Sequence, residues 1–265
     1  RIPVRGPRVS IVVQTNTTGS GTGGGSGGGG ATSTFLLGAS GVGCEGGGGA
    51  FKSWMTDTSA IRIHGSWADA DASVQTSGYP LRAGDPYHFL AGAGAASQPK
   101  LELSLGGIFL ATGETWGQAA SGTFDTRWQT SANALKAQWG TRSLSDLVLG
   151  FARECNGGTW NPWYVTPSDA ANFRAAWARW ASIMRTTMPG VKTVLTFNDG
   201  TGAGMANPLQ LWPTSQLPDY AGVDTYNAWP LVTDAAGWNA KKGLTGSGGY
   251  PIGIEAWRTQ AATWG

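Results

Sequence analysis

Leu147-Val-Leu-Gly-Phe-Ala-Arg-Glu-Cys-Asn-Gly-Gly-Thr-Trp-Asn-Pro-Trp163 is the stretch on which the fold turns. Residues 147–151 form a short continuous apolar run, which suits a strand buried on both faces. Such strands belong to parallel sheets covered by helices. At Arg153-Glu154 the run gives way to a polar segment rich in Gly, Asn and Trp, and Pro162 opposes a helix there. A carboxylate where a buried strand meets a loop is how α/β barrels present chemistry, because their sites lie at the carboxyl ends of the strands.

Working outward, similar runs recur at Phe35–Ser40, Ile61–His64, Leu101–Leu105, Val191–Phe197, Tyr220–Tyr226 and Pro251–Glu255. Helical patterns lie between them. Asp125–Trp139 carries Trp128, Ala132, Leu135 and Trp139 on one stripe, and Gly140 ends it. A second helix is expected over Ser168–Met188, with Ser168 as N-cap, a stripe of Phe173, Trp177, Trp180 and Met184, and Pro189-Gly190 as the stop. Seven strands alternating with helices predict an α/β fold, a (β/α)8 TIM-type barrel rather than an open doubly wound sheet. Only ten residues follow Glu255, so the last strand is missing from this chain. The β-branched run Val9–Val13 is a candidate substitute. Residues 1–30 read as an extended leader and a linker that is nearly pure Gly, Ser and Thr over 19–30, with the barrel at 31–265.

Composition narrows the function classes. The chain has 265 residues, within reach of one barrel domain. A net charge of +2 supplies no field for nucleic acid, and no apolar stretch is long enough to span a membrane. No signal peptide is visible, and a start at Arg1 reads as a processed product or part of a longer protein. Cys44 and Cys155 lack metal-ligand spacing and are expected to be free, buried thiols, with a single disulfide between them as the alternative. The Gly runs at 23–30 and 46–49 lack the Lys-Ser/Thr pair of a phosphate loop, and Asp69 and Asp71 lack the Gly and Glu of a cation loop. Neither a cofactor nor a metal is therefore expected. The 14 Trp are too many for packing alone, and some are expected to be stacking surfaces for sugar rings.

Glu154 and Glu255 each stand where an expected strand meets a loop, next to Trp-bearing segments that would desolvate a carboxyl group. Two carboxylates across one mouth are the minimal machinery for glycoside cleavage.

The segment Arg153-Glu-Cys-Asn-Gly-Gly-Thr-Trp-Asn-Pro-Trp163 resembles the fourth-strand motif of glycoside hydrolase family 26, the β-mannanase family of the retaining barrel clan. That motif has the form His-Glu-x-Asn-Gly-x-Trp-x-Pro-Trp. Pro251-Ile-Gly-Ile-Glu255 is similar to the family's seventh-strand nucleophile segment, and Gly222-Val-Asp-Thr-Tyr226 to its sixth-strand Asp-x-Tyr. The resemblance covers roughly residues 33–258 and implies a retaining, endo-acting hydrolase. Glu154 would be the acid/base, Glu255 the nucleophile, and Tyr226 would orient Glu255. Asn156, Asn198 and Asp224 would contact sugar, and Trp160, Trp163, Trp229 and Trp257 would stack on it. Arg153 replaces the family's His, one residue is inserted before Trp160, and the family's eighth-strand residues have no counterpart here. A guanidinium beside Glu154 favours its ionised form, which opposes an acid unless Arg153 pairs elsewhere.

Two other classes stay open: a carbohydrate-binding barrel without catalysis, and a structural or adhesion bead in a larger assembly. Gly-rich linkers beside sugar-cleaving domains resemble phage tail-tip and tail-fibre proteins, and low Lys with high Ala, Gly and Trp resembles actinobacteria or their phages. That context implies a host cell-wall glycan, other virion tail proteins as partners through residues 1–30, and a virion-associated location. The rival is a secreted, extracellular hydrolase of plant polysaccharide.

Overall fold

Seven strands hydrogen-bond edge to edge until the last meets the first. They are β1 (Arg8–Gln14), β2 (Phe35–Ser40), β3 (Ile61–Trp67), β4 (Lys100–Leu105), β5 (Leu147–Phe151), β6 (Lys192–Asn198) and β7 (Tyr220–Thr225). The computed structural model describes residues 100–225 and 232–264, together with the backbone of 8–14, 35–40 and 61–67. The expected runs at 61–64 and 220–226 are thus realised with slightly different ends. From β2 to β7 each strand is parallel to the next, with β4 to β7 forming the parallel sheet that helices cover. Strand β1 runs antiparallel to both β2 and β7, with Ile11 opposite Leu37 on one side and Val223 on the other. It pairs the edges that β2 and β7 would otherwise leave open.

This ring differs from the expected eight-stranded parallel barrel in strand count and in the direction of β1. The expected strand at 251–255 does not form. Pro251 makes only an isolated bridge with Thr245, and the N–H groups of Ile252 and Gly253 both donate to the Leu244 carbonyl. Gly253 is pressed so close to the Lys241 and Lys242 carbonyls that a Cβ would lie 2.3 Å from one of them. The chain turns there instead of extending, and Ile254 starts a helix. The sequence from 254 onward has no Gly or Pro until its end and buries Trp257 and Ala261, four residues apart, on one face.

Five α-helices accompany the strands among the described residues: α1 (Trp116–Ser121), α2 (Asp125–Trp139), α3 (Ala170–Thr187), α4 (Ala235–Lys242) and α5 (Ile254–Thr263). Helix α1 opens with a capping box in which Thr115 and Gln118 satisfy each other's backbone N–H groups. Helix α2 has the expected bounds and stripe, and Gly140 donates its N–H to the Lys136 carbonyl at the end. Helix α3 buries the expected Phe173, Trp177, Trp180 and Met184. Its start differs from expectation: Pro167–Asp169 form a 3-10 turn, and Ser168 is not the N-cap. The Thr166 hydroxyl is within bonding distance of both Ser168 and Asp169 side chains, and this draws them away from the helix N–H groups.

The parallel sheet has two buried faces because successive side chains point opposite ways. On β5, Phe151 faces the helices and sits among Trp116, Trp128, Phe173, Trp177 and Trp180, with ring centroids 4.9–6.1 Å away. Most of these contacts are edge-on or tilted, the favourable geometry for aromatic pairs. Three of these indoles also find an acceptor: Trp116 donates to the Tyr164 carbonyl, Trp128 to Gly107 and Trp177 to Gln216. Val148 on the other face joins Val194 and Tyr220 inside the ring. Phe151→Ala is expected to cost about 3–5 kcal/mol, seen as a lower urea midpoint with an unchanged slope.

Candidate active site

The segment after β5 leaves the strand through two residues in left-handed backbone, Ala152 (φ 50°) and Glu154 (φ 55°). A residue with a Cβ held there costs on the order of 1 kcal/mol or more, and such strain persists only where surroundings enforce it. Here they do. The Ala152 N–H donates to the Leu105 carbonyl and the Glu154 N–H to Thr196, tying the kink to β4 and β6. The Asn161 amide donates to the carbonyls of Arg153 and Glu154 at 2.9 and 2.7 Å, and the Trp163 indole N–H donates to Arg153 at 2.5 Å. The Asn161 side-chain oxygen in turn accepts the Trp163 backbone N–H. Arg153, Glu154 and Asn161 are all buried.

Arg153 forms an ion pair with Asp224 at the end of β7, and both side chains are almost fully enclosed. The pair spans β6. A second interior link runs parallel to it: Oε1 of Glu102 on β4 accepts from the hydroxyls of Ser104 (3.3 Å) and Thr196 on β6 (3.4 Å), spanning β5. Gly150 lies beneath this link, where a Cβ would come within 3.1 Å of the Ser104 hydroxyl. Glu102 is buried, and its carboxyl is pushed up to about 7. Loss of water is the main cause; Asp224 raises it further, whereas Arg153 and the two hydroxyls pull it down. A lone acidic residue at an inward position of Leu101-Glu-Leu-Ser-Leu105 was the sequence signal for it, with Ser104 two residues on sharing the same face. Charge buried in an apolar strand is uncommon without a partner, and the partners come from strands far away in sequence.

The other expected site residues have different surroundings. Asn156 is a loop staple: its amide donates to the carbonyls of Asn198 and Gly200, and its oxygen accepts the Asn198 N–H at 2.8 Å. Both amide hydrogens are thus used within the protein. Asn198 likewise accepts from the Gly200 N–H. Asp224 holds Arg153 instead of presenting itself to solvent. Trp257 is 3 % exposed and stacks on Phe197 at 4.6 Å, so it is a packing residue on the helix side and not a stacking surface. Trp163 is half-buried against the core. Trp160 is 57 % exposed. It lies over Gly157 and Gly158, where a Cβ on either would come within 2.9 Å of the ring. Tyr226 and Trp229 lie outside the described residues, as do Cys44, Asp69, Asp71 and the Gly-rich runs.

Glu255 stands in the first turn of α5, not at a strand end. It is half-exposed and accepts from Arg258 Nε at 2.8 Å. The residues just before it, Gly253 and Ile254, line a small cleft with Asp199 and Thr225, which follow β6 and end β7. Asp199 accepts from the Thr225 hydroxyl there at 2.8 Å. Helix α5 therefore begins on the carboxyl side of the sheet. Cys155 is a free, buried thiol whose ionisation burial pushes well above the usual range. Glu114, another acidic residue of the sequence, is paired with Arg127 (2.6 Å) and accepts from the Phe109 N–H, and Trp116 beside it is buried.

No protein-family model matches the chain, and no curated protein is significantly similar to it. Among the described residues no helix is long and apolar enough to cross a membrane, and no three His, Cys, Asp or Glu side chains gather as a metal site would.

The Glu102 environment sets a pH dependence. The carboxyl titrates near 4.5 when exposed and near 7 in the folded chain. Between those values the folded state holds the extra proton, so this group's stabilising contribution is complete below about pH 4.5. It falls as pH rises and is lost above about 7. The interval corresponds to about 3 kcal/mol. Glu102→Gln has no such proton to lose. Its stability relative to wild type is expected to improve by up to about that amount across this interval and to level off above it, measured by urea unfolding at stepped pH.

Proposed function

We propose that the carboxyl mouth is the site of a retaining glycoside hydrolase that cleaves a polysaccharide by double displacement. The observation that carries this reading is the Arg153–Asp224 ion pair. It gives the guanidinium next to Glu154 a second carboxylate as partner, which answers the chemical objection to Glu154 as an acid. Glu154 itself sits at the end of a buried parallel strand, in strained backbone braced by Asn161 and Trp163. In this reading Glu154 protonates the leaving oxygen and later deprotonates water. Glu255 attacks the anomeric carbon to give a glycosyl-enzyme, after turning away from Arg258. Trp160 offers its exposed face to a sugar ring. The ring of strands is then a variant of the (β/α)8 barrel in which β1 alone fills the gap where the seventh and eighth strands would lie. The substrate class is a β-linked or cell-wall glycan outside the cell, met by a secreted or virion-associated protein.

A second reading, a barrel that binds glycan without cleaving it, is favoured by one observation: Glu255 is ion-paired with Arg258 on a half-exposed helix turn. One experiment separates the two. Wild type, Glu154→Gln, Glu255→Gln and Asp224→Asn are assayed on mannans, mixed-linkage glucan, xylan and arabinogalactan. The hydrolase reading expects oligosaccharide release by wild type and a loss of about a thousandfold in both Glu variants. Release that survives Glu255→Gln would remove Glu255 as the nucleophile, and loss in Asp224→Asn would reflect the broken pair with Arg153. Binding without release, unchanged in the Glu variants, would establish the binding barrel.

A further inference from the structure

Helix α4 starts after Asp234, whose side chain accepts from the Gly237 N–H, and ends at Lys241-Lys242. Positions 238, 241 and 242 are three and four residues apart and share one face of the helix. That face and the first turn of α5 meet the carboxyl ends of β6 and β7 in one cleft, whose walls include Trp238, Asp199, Thr225 and Gly253. Gly253 lies against the carbonyls of Lys241 and Lys242, so close that any Cβ would collide with them, and this fixes the spacing of the two helices. Asp199 accepts from the Thr225 hydroxyl at 2.8 Å, and its own N–H donates to the Asp224 carbonyl at 3.0 Å, so side chain and backbone are both anchored to the end of β7. The cleft has room for one hydroxyl-sized group, about 10 Å³ of space for its centre. Trp238, which lines it, is 39 % exposed.

We propose that this cleft is a second sugar subsite of the mouth: a hexose unit of the glycan rests its apolar face on the Trp238 indole and sends one hydroxyl in to Asp199 and Thr225. An indole offers a flat apolar face that suits the C–H side of a pyranose. A carboxylate accepts from sugar hydroxyls, and a Thr hydroxyl that donates to that carboxylate still has lone pairs to accept with. An apolar wall with a few fixed polar groups is the usual make-up of a small-ligand site. The cleft belongs to the same mouth as Glu154. Asn156, two residues after Glu154, bonds the Asn198 N–H and the Gly200 carbonyl, on either side of Asp199. Further along the same loop, Gly202 donates its N–H to the Asn156 carbonyl and packs on Gly158, over which the Trp160 ring lies. From Asp199 to Gly202 is three peptide steps, at most about 11 Å, so a short oligosaccharide reaches from one indole to the other. The inference rests on the reading of the mouth as a glycan site, and not on cleavage there.

The test follows the indole N–H resonances of full-length protein labelled with nitrogen-15 in Trp. Trp238→Phe and Trp160→Phe identify the two signals. Mannohexaose, cellohexaose and xylohexaose are the probes, titrated into Glu154→Gln so that they stay whole. The expected result is a shift of both the Trp238 and the Trp160 signals with one of these probes. Trp238→Ala should weaken binding of that probe by about threefold to tenfold. Asp199→Ala should weaken it by about tenfold, and Asp199→Asn, which keeps an acceptor, by less. If Asp199→Ala does not fold, the exposed Trp238 carries the test. Where wild type cleaves the probe, Trp238→Ala should raise KM with kcat little changed, the mark of binding lost equally from substrate and transition state. A Trp160 signal that moves while Trp238 stays fixed, or Trp238→Ala binding as tightly as wild type, overturns the subsite and leaves the hydrolase reading standing. A Trp238 signal that moves with a probe that wild type never cleaves upholds the subsite and removes the hydrolase. If neither signal moves with any probe, both fall.

Discussion

The ion pair between Arg153 and Asp224 is the constraint around which the described part of the molecule is arranged. Two opposite charges taken out of water cost several kcal/mol each, and only close contact with good hydrogen bonding offsets that. Their contact requires that the segment after β5 and the end of β7 be held at a fixed separation across β6. It also requires that Arg153 be aimed inward. The left-handed residues on either side, Ala152 and Glu154, re-aim the chain at this point, and Asn161 and Trp163 bind the exposed carbonyls so that the kink does not relax. A strained backbone and a buried charge are thus two parts of one arrangement.

The rigidity comes from the opposite face of the same strand. Phe151, one residue before the kink, is enclosed by aromatic rings from α1, α2 and α3. Four of the eleven described Trp lie here. Trp116, Trp128, Trp177 and Trp180 are almost wholly buried, and Trp257 joins Phe197 on the neighbouring strand. The result is a stiff outer layer behind a polar interior, the division that lets a barrel carry strained, charged residues on its inner side. The interior polarity is concentrated toward the carboxyl ends of β4, β6 and β7, whereas Val148, Val194 and Tyr220 make a small separate apolar cluster.

Much of this was legible from local pattern. Apolar runs located the strands, and helical spacing located α2 and the buried stripe of α3, because burial on a period of 2 or 3.6 leaves its mark in sequence. The Pro251–Glu255 segment shows where the method ends. Its five residues have the composition of a buried strand, yet the close approach of Gly253 to the Lys241 and Lys242 carbonyls turns the chain, and Glu255 lands on a helix. Trp257 looked like a stacking surface for the same reason: an indole near an acidic residue does not say which side of the sheet it faces. Asn156 looked like a ligand contact, but its hydrogen bonds run to residues more than 40 positions away.

What the sequence by itself determined is the set of buried elements, their order, and the kink-prone polar segment after β5, all properties of neighbours within a few residues. Tertiary structure alone decided which charges meet. The pairing of Arg153 with Asp224, the enclosure of Glu102 with Thr196, and the closure of the ring by an antiparallel β1 each join residues from separate strands. The energy of a buried charge depends on what surrounds it in space, and no reading of residues along the chain contains that distance.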